Sequence, residues 1–233
     1  GTKYDEWFKG LDIKIIKRKE LSLPYIFGKD ITIFEMPQPV QIDSSKIRGN
    51  VELWDLFVSI ASKIMMEGLA KSIVADTMTL ARRVKADAYL QELQENNPGA
   101  KTPRKQLLQI EWGHANDSVR NFYQLCKETE TNLAAIHHLT DEYRQEVLSD
   151  GTIGSLATGK RVLEGLNNTY RHIDLAIRME PAKPGVQGVI NTCGYDLDLV
   201  GTRLPNPTWD MLVGLVEMKL GGRIHLDHRN GDK

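Results

Sequence analysis

The stretch from Ala70 to Thr79 constrains the fold of this chain more than any other segment. It is a short apolar run that ends in an acid, Asp76, followed by two hydroxyl residues, Thr77 and Thr79. A strand buried on both faces of a parallel sheet is continuously apolar, and ligands collect at the carboxyl ends of such strands. The run therefore predicts a central parallel strand with Asp76 at its functional end. The residues alone leave a second interpretation open, in which Asp76 only caps the helix that follows.

Helical patterns flank this predicted strand. Before it, apolar residues recur at spacings of three and four, at Leu53, Leu56, Phe57, Ile60, Ala61, Ile64 and Met65. After it, a charged helical segment runs as far as the break at Asn97-Pro98-Gly99. A short strand at Pro39–Ser45 completes the order strand, helix, strand, which implies a parallel sheet. We therefore expect an α/β fold with a mostly parallel central sheet flanked by helices.

The other segments extend this expectation along the chain. Further strands are predicted at Ile13–Lys19, Leu23–Thr32, Asn132–Thr140, Tyr170–Met179 and Val186–Cys193. Amphipathic helices are predicted from about Asn116 to Glu130 and from Trp209 to Lys219. The segment from Asp141 to Asn168 is polar and dotted with glycine. We expect one domain over residues 1–220, with an antiparallel extension at its C-terminal end, and a frayed tail over 221–233.

Composition narrows the class of protein without indicating its partner. Of 233 residues, 41% are hydrophobic and 26% are charged, as in ordinary globular domains. No apolar run reaches the roughly 18 residues of a membrane span, and the N-terminal residues show no signal pattern. The two cysteines, Cys126 and Cys193, lack metal-type spacing and fit a reducing compartment. We expect a cytoplasmic protein with no membrane partner. The net charge of -1 does not exclude nucleic acid as a partner, because a binding surface can be locally basic on a nearly neutral protein.

The order of these signals resembles the RecA-like ATPases carried by bacteriophages, which are related to phage recombination and single-strand annealing proteins. Ser72–Thr79 is similar to the Walker B strand of that family, and Ala135–Glu142 is similar to the strand whose tip senses the terminal phosphate. The other matching segments are Pro37–Asp43, Trp112-Gly113 and Asn206–Trp209. The resemblance covers roughly residues 11 to 218 and rests on the order and spacing of weak motifs. It implies a RecA-like P-loop NTPase fold.

The resemblance also implies a set of site residues and partners. Magnesium would be held by Asp76 with help from Thr77, while His138 and Thr140 would read the terminal phosphate of ATP. The residues assigned by this resemblance are Asp43 and His138 as catalytic, Gly28, Lys29, Thr32, Thr77 and Thr140 as cofactor-binding, and Asp76 as metal-binding. The implied cofactors are ATP and Mg²⁺. The implied partners are single-stranded DNA and further copies of the chain, and a phage origin would place the protein in the host cytoplasm.

The phosphate-binding loop departs from the family pattern. Such a loop needs GxxxxGK[ST], because its glycines let backbone amides surround the phosphates and its hydroxyl binds magnesium. The chain offers Phe27-Gly28-Lys29-Asp30-Ile31-Thr32 at the expected place, where Gly28 is either the first glycine of a loop whose middle is missing or part of the closing Gly-Lys of a loop whose start is missing. In the second case Asp30 stands where the hydroxyl belongs. A negative charge beside phosphate is unfavourable unless a metal lies between them. Either residues are missing from the loop in this sequence or the protein has lost the loop.

A second GxxxxGK match lies at Gly154–Arg161, but the segment before it is too polar for a central strand. In the family this region is a mobile loop that often faces DNA. We therefore expect Lys160 and Arg161 to contact nucleic-acid phosphates, with plain surface exposure as the alternative. Arg82, Arg83 and Lys85 are further candidates for phosphate contacts.

Two hypotheses of different classes follow from the sequence. The first is an ATP-dependent recombination or annealing protein with a Walker A/Walker B site, and whether it is an ATPase depends on the incomplete loop. The second is a nucleotide-independent DNA-binding or assembly protein that keeps the fold with a degenerate phosphate loop. A soluble α/β domain with no nucleotide role is the remaining alternative.

Overall fold

The computed structural model describes residues 10–17, 30–39, 46–99, 104–147, 151–164 and 169–222. The chain divides into two units, one formed by Gly1–Ala61 with Val84–Leu108 and the other by Ser62–Arg83 with Gln109–Lys233. The described residues form a mixed α/β structure with small sheets. None of the helices in these ranges is long and apolar enough to cross a membrane.

In the first unit, two short strands pair in parallel. They are β1 (Ile13–Ile16) and β2 (Ile31–Phe34), with Ile13 opposite Ile31. Asp30 lies just before β2 and links it to the residue before β1, because its carboxylate accepts a hydrogen bond from the Asp12 N–H at 2.6 Å. The strand predicted at Ile13–Lys19 is thus confirmed over its first four residues, whereas most of the strand predicted at Leu23–Thr32 lies outside the described residues.

Two long helices have the bounds that their sequence patterns predict. They are α1 (Asn50–Met66) and α2 (Met78–Glu95). Buried residues of α1 recur on one side of the helix, at Leu53, Trp54, Ile60, Ala61, Ile64 and Met65, which confirms the periodicity argument. Within the first unit, the buried Gln91 side chain accepts hydrogen bonds from the N–H groups of Asn50 and Val51, at 3.0 and 3.4 Å. Because the first amides of a helix have no partner within it, this contact satisfies the start of α1.

The second unit contains the strand predicted at the start, β3 (Ser72–Asp76), paired in parallel with β4 (Asn132–Ile136). The helix that precedes β4 in the chain is α3 (Trp112–Glu128), whose buried residues are Ala115, Val119, Phe122, Tyr123 and Cys126. This confirms the predicted amphipathic helix and its buried side. The expectation that β3 is buried on both faces is wrong, since Ala75 is buried but Val74 is 67% exposed. The apolar residues of β3 therefore lie on two different faces, a covered face that includes Ala75 and a solvent-exposed face that includes Val74.

After β4 the structure departs from the prediction. The strand expected at Asn132–Thr140 ends at Ile136, and the polar segment expected to be a loop forms an antiparallel hairpin of β5 (Leu139–Val147) and β6 (Ile153–Leu163). Gly151, with φ of 80°, lies just before β6, and a residue without Cβ adopts that conformation at low cost. A further parallel strand needs a crossover of a dozen or more residues, and here only His137 and His138 separate the strands. Parallel pairing among the described strands is therefore limited to β1–β2 and β3–β4, so the large central sheet is not found there.

The predicted C-terminal antiparallel extension is confirmed. It consists of β7 (Leu175–Pro181), β8 (Val186–Cys193) and β9 (Arg203–Pro205), in that spatial order, followed by α4 (Trp209–Leu220). Its core contains Ile190, Cys193, Leu199, Leu204 and Val216. Thr208 caps α4 by accepting the Met211 N–H at 3.3 Å, and Gly221, with φ of 69°, ends it. Short 3₁₀ helices lie at Gln109–Glu111, Thr169–His172 and Leu197–Leu199.

Candidate functional site

The candidate site lies at the carboxyl ends of β3 and β4 in the second unit. Asp76 is the last residue of β3 and is opposite Ile136, the last residue of β4. Its side chain is exposed and makes no hydrogen bond or ion pair with the described residues. The peptide bond between Asp76 and Thr77 is cis. A carboxylate at this place is accessible to a ligand approaching the edge of the sheet.

The helix that follows is capped by Thr77 and not by Asp76. The Thr77 hydroxyl accepts a hydrogen bond from the Leu80 N–H at 3.2 Å, at the start of α2. The alternative interpretation of Asp76 as the cap is therefore wrong. The structure instead assigns Thr77, proposed as a nucleotide ligand, a local structural role.

The tip of β4 is anchored to α2 through Thr79. This residue is 1% exposed, and its hydroxyl accepts a hydrogen bond from the backbone N–H of His138 at 2.9 Å. The His138 side chain is exposed. The bond fixes the backbone that carries His138 while leaving its imidazole in contact with solvent. Thr79 was not among the predicted site residues, although its position three residues after Asp76 was visible in the sequence.

His137, the residue before His138, has a structural role. His137 Nε2 and the Tyr123 hydroxyl, which belongs to α3, lie 2.6 Å apart. Burial lowers the pKa of His137, and the adjacent His138 lowers it further. Burial also raises the pKa of Tyr123, with a smaller contribution from Cys126. Both groups are therefore neutral near pH 7. The His137 Nδ1 atom is buried without a hydrogen-bond partner in the described structure.

Other predicted site residues are distributed differently. Thr140 is in β5 opposite Val162 and is half-buried, two residues beyond His138. Thr32 is in β2, which belongs to the first unit. The remaining three, Gly28, Lys29 and Asp43, lie outside the described residues. The structure therefore brings Asp76, Thr77 and His138 to one edge of the β3–β4 pair, together with Thr79, which sequence reasoning missed.

The basic pair predicted to contact nucleic acid lies on β6, in extended structure and not in a loop. Arg161 is engaged within the hairpin, since its Nη2 donates to the Leu139 carbonyl at 2.8 Å and its Nε lies 3.3 Å from Asp141 Oδ1. Lys160 is exposed and makes no ion pair with the described residues. Of the two side chains, Lys160 is the one free to meet a phosphate.

The arginines of α2 have internal partners. Arg82 is 8% exposed, its Nε donates to Asn116 Oδ1 at 2.7 Å, and its guanidinium carbon lies 4.5 Å from the centre of the Trp112 ring. Burial lowers its pKa, an effect that the nearby Glu164 opposes. Arg83 makes an ion pair with Glu164. Both side chains therefore have partners within the second unit, and Arg83 remains exposed. Buried charges need such partners.

Asp76 fits the way proteins hold magnesium, although no metal cage surrounds it. The described residues contain no cluster of three or more His, Cys, Asp or Glu side chains suited to a metal. Mg²⁺ keeps several waters and is commonly held by one or two carboxylates together with substrate phosphates. A single free carboxylate at a strand end is compatible with that mode.

The sequence matches no protein-family model, and no curated protein or solved structure matches it either.

Proposed function

We propose that this chain is a RecA-like ATP-binding protein that acts in phage DNA recombination, repair or single-strand annealing, with ATP hydrolysis at a site that includes Asp76. The observation that supports the proposal best is the arrangement of β3 and β4. Their parallel register carries a free carboxylate, Asp76, and an exposed imidazole, His138, to the same end of the pair. The carboxyl ends of neighbouring parallel strands are where α/β proteins bind nucleotides.

Each residue has a distinct role in this proposal. Asp76 would hold Mg²⁺, and the bound ion would reduce the negative charge on the phosphates. His138 would contact the terminal phosphate, with its backbone held by Thr79. Following the family resemblance, Gly28 and Lys29 would meet the phosphates and Asp43 would activate water. Thr32 and Thr140 complete the proposed ligand set.

Single-stranded DNA and further copies of the chain are the proposed macromolecular partners. Lys160 supports a nucleic-acid contact because it is an exposed cation without an internal ion pair in the described part of the chain. Contacts of this kind weaken as salt rises, because binding releases counterions from the phosphates and that release becomes less favourable at higher salt. Assembly of several copies with ATP between them follows from the family resemblance.

Binding of a fluorescent ATP analogue tests the proposal. We expect the wild-type protein to bind the analogue in the presence of Mg²⁺, and Asp76→Ala to weaken binding by about tenfold or more, equivalent to about 1.4 kcal/mol. Asp198→Ala is the matched control, because it removes an exposed acid from the short helix Leu197–Leu199. Its affinity should equal that of the wild type. A wild-type protein that binds no analogue would eliminate the proposal, and equal binding by Asp76→Ala would remove Asp76 from the site.

A second candidate function is supported by Asp30. This acid occupies the place of the phosphate-loop hydroxyl, and its carboxylate already accepts the Asp12 N–H at 2.6 Å. Such a loop suits a DNA-binding or assembly protein that acts without nucleotide. Filter retention of labelled single-stranded DNA, with and without ATP and Mg²⁺, separates the candidates. The second candidate requires retention that falls with rising salt and does not change with nucleotide.

A further inference from the structure

The hairpin of β5 and β6 exposes several large apolar side chains. Tyr143 and Val147 on β5 are 62% and 73% exposed, and Ile153 on β6 is 72% exposed. Register places Tyr143, Val147 and Ile153 on the same face, because Val147 is opposite Ile153 and residues two apart share a face. A two-stranded hairpin is only marginally stable by itself in water, and further strands or a packed face are needed to stabilise it. The hairpin therefore lacks a covering element within the described structure.

One edge of the hairpin is open to a further strand. Among the described strands, β5 pairs with β6 alone. Over the regular part of the ladder, from Tyr143 to Val147, every second residue of β5 consequently points its N–H and C=O groups outward. An unpaired edge of this length is a template for strand addition. The charged side chains on it select which strand can be added.

The residues of β5 are complementary to themselves in antiparallel register. With Gln145 opposite Gln145 of a second copy, Arg144 faces Glu146 and Tyr143 faces Val147, and each pair occurs twice. Opposite charges and aromatic–aliphatic pairs stabilise antiparallel neighbours, whereas like charges destabilise them. Moving the centre to Arg144 would place two arginines opposite each other, and moving it to Glu146 would do the same with two glutamates. Of these three registers, only the one centred on Gln145 places no like charges opposite each other.

We propose that two copies of this chain associate through the outer edge of β5, forming a continuous four-stranded antiparallel sheet centred on Gln145. The charges of the hairpin favour this occupant over nucleic acid. Acidic residues Asp141, Glu142 and Glu146 balance basic residues Arg144, Lys160 and Arg161 in number. Arg144 and Glu146, two residues apart on β5, form an ion pair within one chain. The edge of β5 therefore carries positive and negative charge side by side. The inference stands on the hairpin and is independent of the proposed ATP site.

Charge reversal followed by mixing tests the inference directly. Mass in solution, measured by sedimentation without nucleotide over a range of concentrations, should show a dimer for the wild type. Arg144→Glu places two acids opposite each other at both pairs, and Glu146→Arg places two bases there. Each variant alone should dissociate with a Kd raised about tenfold or more. An equimolar mixture of the two variants should form a mixed dimer, because every pair again joins opposite charges.

Two controls separate the interface from general effects of charge. Lys160→Glu reverses an exposed charge on β6, away from the outer edge of β5, and should keep the wild-type mass. Asp76→Ala should also keep it, so a failure of the ATP proposal does not affect this result. Circular dichroism of each variant verifies folding.

Cysteine cross-linking provides a second measurement that needs no charge change. Gln145→Cys places two thiols opposite each other across the proposed two-fold axis, and mild oxidation should yield a covalent dimer. Ser155→Cys is the matched control, since Ser155 is directly opposite Gln145 within the hairpin, on the strand that the second copy does not meet. The natural cysteines, Cys126 and Cys193, are buried.

Several outcomes would overturn the inference. A monomeric wild type would do so, as would dimers that persist in both charge variants, or folded variants that stay monomeric when mixed. If Arg144→Glu weakens binding of single-stranded DNA and Glu146→Arg strengthens it while mass is unchanged, the edge is a nucleic-acid surface and the dimer is rejected. Cross-linking of Ser155→Cys to the same extent as Gln145→Cys would also reject it.

Discussion

The backbone N–H of His138 donates a hydrogen bond to the buried hydroxyl of Thr79 at 2.9 Å. This bond connects the tip of β4 to the first turn of α2, the helix that begins just after Asp76. Thr79 is 1% exposed, so water has little access to replace the hydroxyl if it is removed. The candidate site is therefore held by an interaction whose loss has a measurable cost.

Replacement of Thr79 by valine should destabilise the protein by about 1–3 kcal/mol, because the His138 N–H is left without its acceptor. Urea unfolding followed by circular dichroism measures this as a lower midpoint with little change in slope. Thr79→Ser retains the hydroxyl and should recover most of the loss. If valine and serine variants unfold at the same urea concentration, the hydrogen bond contributes nothing to stability.

Protonation of His137 should make the protein less stable in mild acid. Burial lowers the pKa of His137 below its usual 6.5, so the unfolded chain binds the proton more readily than the folded one. By linkage, stability is fully present above pH 6.5 and is lost as the pH falls from there through the lowered pKa. His137→Gln should remove this part of the pH dependence.

Thermal unfolding of the wild type and His137→Gln between about pH 7.5 and 5.5 measures the effect. His114→Gln is the matched control. His114 lies on α3 and is exposed, whereas His137 is half-buried and forms the hydrogen bond with the Tyr123 hydroxyl. Parallel curves for the wild type and His137→Gln would show that His137 has no part in acid sensitivity.

Two glycines of the second unit should respond in opposite directions to alanine. Gly185 has φ of +87°, and a Cβ there would collide with the Asn206 Oδ1 that accepts the Val186 N–H. Gly185→Ala should therefore cost about 1–3 kcal/mol. Gly214 lies within α4 with open space around its Cβ position, so Gly214→Ala should stabilise the protein by about 0.5–1 kcal/mol. Urea midpoints check both signs, and a stabilising Gly185→Ala would contradict the close approach of Asn206 to Gly185.

Lys160 and Arg161 should differ in their effects on DNA binding and stability. Lys160→Ala should weaken retention of single-stranded DNA and lower its salt dependence without changing thermal stability, because it has no ion pair in the described residues. Arg161→Ala removes contacts to Leu139 and Asp141 and should destabilise the hairpin. Hydrogen exchange of β5 amides measures that loss. Equal DNA affinity of the wild type and Lys160→Ala would remove Lys160 from the nucleic-acid surface.

Helices were the most predictable part of this fold. The spacing of apolar residues from Val51 predicted α1, and the same kind of spacing predicted the buried side of α3, which is formed by Val119, Phe122, Tyr123 and Cys126. A helix that packs on one side must repeat its apolar residues about every 3.6 positions, so the pattern is local and readable. The β5–β6 hairpin was missed because both of its faces are exposed, and an exposed strand has no need of an alternating apolar pattern.

The sequence by itself determined that helices surround the apolar run before Asp76 and that this acid ends a strand. Only the tertiary structure decided that His137 is half-buried against Tyr123 while His138 faces solvent, and that Arg82 lies against Trp112. The reason is that periodicity depends on neighbours along the chain, whereas these choices depend on groups up to dozens of residues away. The pairing of β3 with β4 was also decided by the tertiary structure. The paired residues are 60 positions apart in the sequence, and the sequence of one strand does not by itself specify which strand it pairs with.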